Sequence, residues 1–361
     1  MSLSETPTRP LLHGIQAVRG FFSLLVVCHH VGVHSQRFWD HDWLGGTFNH
    51  SVFRVDFFFV LSGFVLWAVH RAEAGSIGTG LSFLRRRLWR LYPLLFMLTL
   101  IKVLLLWVFP GRSPESYQII HSLLALPQTN FPVIVSAWTL SFEVYFMVVF
   151  ATCMALPHRL ALLALAVVGT GLVACGVFLG IAPAMTGAGF LTHPFIVEFI
   201  LGALAAEVVG QKSSRKWGAL FCGVSVAGLL FGIFCCEFAE SFELVWPKIF
   251  LGAVFASGLG GLVLWERAAA ERWWLKDCGL GGASYSIFLS HGFVLMTVFA
   301  YVRPELFGHD PMQMNLFLLF VVLVAMMFGL AVAKWMEKPL NKAIRKFQNW
   351  LHARHEPLNQ S

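Results

Sequence analysis

Apolar runs of membrane length recur along the whole chain and restrict what it can fold into more than any other feature. Ten of them approach the length that an α-helix needs to cross a roughly 30 Å hydrocarbon core. They are Gly14–Val33, Phe53–Val69, Tyr92–Phe109, Val135–Leu156, Leu160–Leu179, Phe195–Val209, Trp217–Phe234, Pro247–Leu264, Ser284–Tyr301 and Met314–Ala333. The pattern predicts an all-α polytopic membrane protein with about ten transmembrane helices. Residues 1–340 would form the transmembrane domain, and residues 341–361 a basic cytoplasmic tail.

Charge is scarce, and it is unevenly divided between the segments that join these runs. The chain is 57% hydrophobic and 12% charged, which is about half the charged fraction of a soluble domain. With the N-terminus placed inside, 19 Lys and Arg residues fall on the cytoplasmic side and 5 on the outer side. This bias follows the positive-inside rule and predicts that both termini are cytoplasmic. The net charge of +7 then reflects topology, so no nucleic-acid partner is needed to explain it.

Two ionisable side chains, which are energetically unfavourable inside a membrane, lie in the first apolar run. Arg19 and His30 are eleven residues apart, so on a helix they lie on one face, about 16 Å apart along the axis. Ionisable groups inside a membrane helix are expensive and indicate function by default. His29 is equally titratable, but it points roughly 80° away from the face of Arg19, which favours His30.

Four arginines alternate with Leu and Trp in the segment Leu81–Pro93. One interpretation is an anchor on anionic lipid headgroups at the cytoplasmic end of the third run. The other is an anion site in which Arg85 and Arg87 bind a phosphorylated cofactor from the cytosol, because planar guanidinium groups suit phosphate oxygens. The residues alone leave both interpretations open.

Glu143 and His291 also lie within apolar runs. A carboxylate in the outer half of a span has to be paired, protonated or in a wet cavity, so Glu143 is either a structural partner or a catalytic or substrate-orienting group. A single histidine such as His291 is more often a packing residue than a functional one, and both readings stay open. The cysteines and the outer loop His34–His50 show no persuasive metal-ligand pattern, so we predict no metal site.

Other polar and aromatic residues have plainer interpretations. Asp56 is predicted to be a charge at a helix start, and Ser62–Gly63 to permit a close contact between helices. A supporting role in the site is the alternative for Asp56 and Ser62. Glu337 follows the last run and is predicted to cap or pair at the surface. Trp39 and Trp43 are predicted to lie in the aromatic belt at the membrane interface, and stacking on sugar rings is the alternative.

Seven segments between residues 14 and 340 carry a family resemblance. They are IQAVRGFFSLLVVCHH, VDFFFVLSGF, FLRRRLWRLYP, AWTLSFEVYF, FIVEFILGALAA, GASYSIFLSH and WMEKPL. In this order they resemble the acyltransferase-3 family of integral membrane acyltransferases. Each segment alone is weak evidence for the family, but the seven together in this order are specific for it. The opening IQAVRG is similar to the branch that acetylates bacterial exopolysaccharides.

The resemblance implies roles for several of these residues. Arg19 and His30 match the family's Arg-x10-His motif, in which His30 is the expected catalytic base and Arg19 contributes charge or helps to hold CoA. The other matches are Arg85 and Arg87 in acyl-CoA binding, Glu143 as the essential glutamate, Ser62 and Gly63 in the SGF motif, and His291 in the late SYxxYLxH motif. Phe288 and Ser290 replace the Tyr and Trp that are usual in the late motif.

The implied function is that of a membrane O-acyltransferase in the bacterial cytoplasmic membrane. Its donor would be cytosolic acyl-CoA, with acetyl-CoA first among the candidates, bound as a substrate and not as a resident cofactor. Its acceptor would be a hydroxyl of a carbohydrate or lipid-linked glycan, such as exopolysaccharide or O-antigen. On this hypothesis Glu143 orients either the imidazole of His30 or the acceptor.

Two alternatives belong to other classes of protein. A proton-coupled secondary transporter would use Arg19, His30, Glu143 and His291 as a proton relay. The sequence shows no inverted repeat of the kind that such transporters carry. The other alternative is a non-catalytic subunit of a polysaccharide export complex.

Overall fold

The protein is a bundle of long helices. The computed structural model describes residues 13–49, 53–108, 113–235, 245–269, 279–308 and 310–355. Within these ranges there is no strand, and ten helical segments are long and apolar enough to cross a membrane. The predicted all-α fold class is therefore confirmed. The predicted run end at Phe109, residues 1–12 of the predicted domain and residues 356–361 of the tail lie outside the described ranges.

The described ranges contain thirteen α-helices, most of them of membrane length. They are α1 (His13–Trp39), α2 (Arg54–His70), α3 (Ile77–Val108), α4 (Ser116–Leu124), α5 (Trp138–Cys153), α6 (His158–Phe178), α7 (Gly187–Leu191), α8 (Phe195–Val209), α9 (Arg215–Cys235), α10 (Val245–Ala268), α11 (Leu280–Tyr301), α12 (Pro311–Val332) and α13 (Lys338–His355).

Helix α3 begins well before the predicted start at Tyr92. It is 32 residues long, about 48 Å at 1.5 Å per residue. The Ser76 hydroxyl accepts a hydrogen bond from the backbone N–H of Thr79 at 3.2 Å and so caps the helix start. Since Leu and Arg are good helix formers, the arginine segment continues the helix. The four arginines therefore project from fixed faces of a helix.

Small residues let α2 and α8 approach each other closely. A Cβ atom at Gly63 would lie 1.8 Å from the carbonyl oxygen of Phe199, and one at Gly202 would lie 2.0 Å from that of Val60. Real Cβ atoms do not come so near to backbone atoms, so only glycine fits at either position. The predicted close helix contact at Ser62–Gly63 is confirmed.

Two buried or half-buried carboxylates bring several helix ends together. Glu266, at the end of α10, accepts hydrogen bonds from the first two backbone amides of α1 at 2.7 and 3.0 Å, where the helix dipole favours negative charge. Glu207, at the end of α8, accepts from Trp67 at 2.8 Å and Arg71 at 3.0 Å. Arg86 of α3 pairs with a glutamate just after α2 at 2.7 Å. We call this end of the bundle the arginine end.

At the opposite end, Trp39 and Trp43 are buried, so their predicted place in an interfacial belt is wrong. Trp39 is 8% exposed, with its ring centroid 4.8 Å from that of Phe299. Trp43 is 1% exposed and donates its indole N–H to the carbonyl oxygen of Asn315 at 3.3 Å. Trp39 ends α1 against aromatic rings of α11 and α12, and the segment after α1 places Trp43 against α12.

Glu337 is buried, so its predicted place at the surface is also wrong. Helix α12 passes into α13 through a π-helical turn at Ala333–Glu337. There the Glu337 carboxylate accepts a hydrogen bond of 2.5 Å from the Ser286 hydroxyl of α11. Beyond the turn, the ring of Phe347 lies 6.5 Å from that of Trp89 in the arginine half of α3. Helix α13 thus begins at Lys338 and packs against α3.

Candidate active site

A cavity of about 190 Å³ lies between α1, α2, α3, α5 and α11. Its apolar wall comes mainly from Phe and Leu side chains of α2 and α3. Its polar lining is contributed by all five helices. The polar side chains are Arg19, Ser62, Arg87, Arg90, Thr139, Glu143, Ser284 and Tyr285. Such a lining, apolar with a few convergent polar groups, is typical of a ligand site.

Two arginines of α3 reach the cavity from the same helix face. Arg87 and Arg90 are three residues apart and therefore adjacent on the helix surface, and both line the cavity. Arg85 lies about 200° around the helix from Arg87, and it is exposed outside the cavity. The structure thus groups Arg87 with Arg90. The sequence reasoning missed Arg90, although its i, i+3 spacing from Arg87 would have indicated it.

Glu143 lies among these cations. The positive charges that act on its carboxylate are those of Arg87, Arg90 and Arg19. The glutamate offsets part of the positive charge of the cavity, and its role in orienting the imidazole or the acceptor stays a prediction. Three cations against one carboxylate leave a site suited to an anion.

Arg19 forms the wall of the cavity on α1. Its Nη2 donates to the Ser284 hydroxyl of α11 at 2.8 Å, and its Nη1 donates to the Gln16 side-chain oxygen at 3.3 Å. The guanidinium is therefore held in place from two sides. This hydrogen bond is one of several contacts through which α1 packs against α11.

A further contact between these two helices joins His30 to His291. His291 Nε2 lies 2.9 Å from His30 Nδ1, and the two rings stack with centroids 4.9 Å apart. His291 Nδ1 lies 2.9 Å from the carbonyl oxygen of Ile287. The structure thus places Arg19 and His30 on the one face of α1 that contacts α11.

These hydrogen bonds assign the tautomers of both neutral rings. A carbonyl oxygen only accepts, so His291 Nδ1 carries the proton and Nε2 accepts. His30 Nδ1 then donates to His291, which leaves the lone pair of His30 Nε2 available. That nitrogen is the atom that can take a proton from a hydroxyl group.

His29 has a different environment from its neighbour. Its Nδ1 bonds the carbonyl oxygen of Phe48 at 2.9 Å, in the chain that follows α1. It therefore ties α1 to a connecting segment and does not face His291. Within the described ranges, no three His, Cys, Asp or Glu side chains are grouped so that they could hold a metal ion.

Phe288 separates the cavity from the histidine pair. Its side chain lines the cavity, and its ring centroid is 6.4 Å from that of His291 and 6.4 Å from that of Phe58. The backbone carbonyl of Phe288 is fixed by the Ser136 hydroxyl at 2.8 Å. Phe288 occupies the position where the late family motif usually has Tyr, so the aromatic ring is present and the hydroxyl is not.

Asp56 belongs to a buried charged cluster outside the cavity. It lies in the first turn of α2, as predicted, but it is fully buried and forms an ion pair with Lys248 of α10. Glu198 of α8 is also fully buried and lies beside this pair. The Lys248 ammonium lies 4.8 Å from the Phe195 ring centroid. The cluster ties together α2, α8 and α10, and the lone acid of FIVEFILGALAA was the sequence signal for Glu198.

Comparison with known proteins decides the family of this site. The acyltransferase-3 family model, an acyltransferase domain, matches residues 12–336. The chain belongs to the acyltransferase-3 family. It is similar to the exopolysaccharide production protein ExoZ of Rhizobium meliloti (strain 1021), with 29% identity over 257 residues, or 68% of this chain and 76% of that protein. No solved structure matches the chain.

Family membership defines the class of the protein. With its ten candidate spans, the chain is a multi-pass integral membrane acyltransferase. The resemblance drawn from the seven motifs is confirmed. The transporter alternative gains nothing from these comparisons. The individual roles of the site residues stay predictions.

Proposed function

We propose that this acyltransferase moves an acetyl group from acyl-CoA to a hydroxyl of a bacterial surface polysaccharide, with His30 as the general base. The observation that carries the proposal is the hydrogen bond between His30 and His291, which leaves His30 Nε2 unprotonated. The name of the similar Rhizobium protein favours an exopolysaccharide acceptor, and O-antigen is the other acceptor of this chemistry.

The donor enters from the arginine end, which lies on the cytoplasmic side of the bacterial inner membrane. The Lys and Arg distribution favours this orientation. The phosphates of acyl-CoA bind Arg87 and Arg90, because guanidinium groups pair with phosphate oxygens through charge-assisted hydrogen bonds. Arg85, on the exposed face of α3, contributes only to parts of the donor outside the cavity. The thioester end then extends along α1 and α11 towards His30.

Transfer is a single acyl exchange at the thioester carbonyl. The acceptor hydroxyl oxygen attacks the carbonyl carbon while His30 Nε2 takes the hydroxyl proton. The tetrahedral oxyanion collapses, the carbon–sulfur bond breaks, and the imidazolium returns the proton to the CoA sulfur. His291 accepts the Nδ1 hydrogen bond of His30 throughout, so the base keeps its orientation. Ester and free CoA are the products.

The test compares the two adjacent histidines. The protein is purified in lipid nanodiscs, supplied with radiolabelled acetyl-CoA and with deacetylated surface polysaccharide of the host cell, and assayed for labelled polymer. His30→Ala is expected to abolish labelling, and His29→Ala to retain most of it. An active His30→Ala protein would overturn the assignment of the base. Mass spectrometry of surface glycans from cells with and without the chain identifies the acceptor.

A further inference from the structure

A second cavity lies beside α5, away from the arginines. It has a volume of about 60 Å³ and lies against the side of α5 opposite to the first cavity. Its lining comes from the loop between α4 and α5, from the first turn of α5 and from the chain near α7. The residues are 127–132, Trp138, Ser141, Phe142, Met185 and Phe190. Nothing in the proposed transfer step uses this space.

Gln128 is the notable side chain of this cavity. It is 6% exposed, and its amide nitrogen and oxygen are both buried without a hydrogen-bond partner among the described residues. A primary amide offers two donors and an acceptor. Leaving such a group buried and unpaired is unfavourable, so an amide in this position requires a polar partner in the cavity, either a ligand or water.

The loop that carries Gln128 is held by hydrogen bonds to α4. The carbonyl oxygen of Pro127 accepts from His121 Nδ1 at 2.9 Å, and that of Phe131 accepts from the Gln118 amide at 2.7 Å. The backbone N–H of Val133 donates to the Ser122 hydroxyl at 2.9 Å. Because α4 holds the loop at three points, the amide of Gln128 has a set position before any ligand arrives.

The remaining lining identifies the chemistry of the ligand. No charged side chain lines the cavity, so an ionic group would not be recognised there. Trp138 and Phe142 supply aromatic surface, and Phe131 is 60% exposed at the rim. Aromatic faces beside a neutral amide suit a carbohydrate, which presents apolar C–H faces together with hydroxyl groups. The volume is far below the roughly 300–1,000 Å³ of pockets that enclose a whole ligand, so only one edge of a sugar fits.

The segment that lines the cavity is hydrogen-bonded to α11, the helix that carries His291. Ser136, two residues before Trp138, donates to the backbone carbonyl of Phe288 at 2.8 Å. Phe288 lies three residues before His291 on α11, and the Nε2 atom of His291 contacts His30. A polymeric acceptor occupies more than one sugar position. A neighbouring residue of the same polymer could therefore bind at Gln128 while another residue reacts.

We propose that Gln128 and the aromatic side chains around it form a subsite that binds a neutral sugar residue of the acceptor polysaccharide. The inference rests on the proposed function and adds to it a residue that determines acceptor affinity. Gln128 binds the acceptor equally well before and during transfer, so its loss acts on KM and not on kcat.

The experiment uses Gln128→Met, which keeps the length of the side chain and removes its amide. The acceptors are oligosaccharides released from the surface polysaccharide of the host cell and freed of acetyl groups by mild alkali. The acceptor KM is expected to rise about three- to tenfold, the worth of one or two neutral hydrogen bonds. The kcat and the KM for acetyl-CoA stay unchanged. Gln313→Met, on an exposed face of α12, is the matched control and leaves all three constants unchanged.

An unchanged acceptor KM in Gln128→Met would mean that the cavity holds water only, and would overturn the subsite while leaving the transferase function intact. If that variant melts below the wild type, Gln128→Asn keeps an amide one carbon shorter and is expected to show an intermediate KM. If the wild type transfers nothing from acetyl-CoA, the proposed function fails. Calorimetry of the same oligosaccharides on wild type and Gln128→Met then decides the subsite separately, and equal binding overturns it.

Discussion

His291 and His30 are joined by a hydrogen bond of 2.9 Å between Nε2 and Nδ1, so the orientation of a base on α1 is set by a residue of α11. Hydrogen bonds link the Ile287 carbonyl oxygen to His291 and His291 to His30. Only one arrangement of protons on the two neutral rings satisfies both bonds, and it leaves His30 Nε2 without a proton. Although the two histidines are 261 residues apart in the chain, they form one unit.

We expect His291→Ala to lower kcat by on the order of tenfold or more, a part of the roughly 10²–10⁴-fold that general-base catalysis supplies. His30 would keep its chemistry but lose the acceptor that fixes its tautomer. His291→Gln is expected to retain more activity than His291→Ala, because its side-chain oxygen can accept from His30 Nδ1. Steady-state kinetics with acetyl-CoA measure the effect. A His291→Ala protein with wild-type kcat would contradict the positioning role.

Arg87→Ala and Arg90→Ala are each expected to raise the KM for acetyl-CoA about tenfold or more, because a hydrogen bond to a charged group contributes roughly 1.5–3 kcal/mol. Arg85→Ala is the matched control from the same segment, and it is expected to change this KM much less since Arg85 lies outside the cavity. Calorimetric titration of the purified variants with acetyl-CoA measures the difference. Equal losses in all three variants would favour a diffuse electrostatic role at the lipid headgroups.

Lys248→Met is expected to destabilise the protein by about 3–5 kcal/mol, since it leaves buried carboxylates without their cation. The double variant Asp56→Asn with Lys248→Met removes both charges of the ion pair and is expected to recover much of the loss. Thermal unfolding in detergent at constant pH, followed by tryptophan fluorescence, compares the variants. Additive losses in the double variant would show that the two residues are not coupled.

Gly63→Ala is expected to abolish accumulation of folded protein, because its Cβ would have to lie 1.8 Å from the backbone oxygen of Phe199. The backbone of α8 cannot yield as a flexible side chain would. Gly171→Ala in α6 is the control, since nothing lies within 4 Å of a Cβ at that position. Size-exclusion chromatography of the detergent-solubilised variants distinguishes them. A monodisperse Gly63→Ala protein would show that α2 and α8 separate more easily than their packing indicates.

The membrane helices could be predicted from sequence because hydrophobicity over some twenty residues is a strong local signal. Helical periodicity likewise predicted that Arg19 and His30 share a face, and the structure places both against α11. The helix start at Ile77 was not predicted, since an arginine-rich stretch has low hydropathy although its residues favour helix.

Contacts between distant helices left no such local signal. Glu337 stands in a polar, basic stretch that is typical of a surface, yet the partner that buries it is Ser286. Tryptophan is typical of an interfacial belt, and only the packing of α11 and α12 against this end of α1 buries Trp39 and Trp43. The grouping of Glu143 with Arg87 and Arg90 around one cavity depends on how α3 and α5 pack together.

The π-helical turn at Ala333–Glu337 has a consequence for the end of the chain. One residue beyond α-helical count turns everything after it by about 100° about the helix axis. The side of α13 that carries Phe347 meets Trp89 in that orientation. Deleting a single residue from the turn would present a different, basic side to α3. The number of residues in this turn, more than their identity, therefore selects which surface of the terminal helix contacts α3.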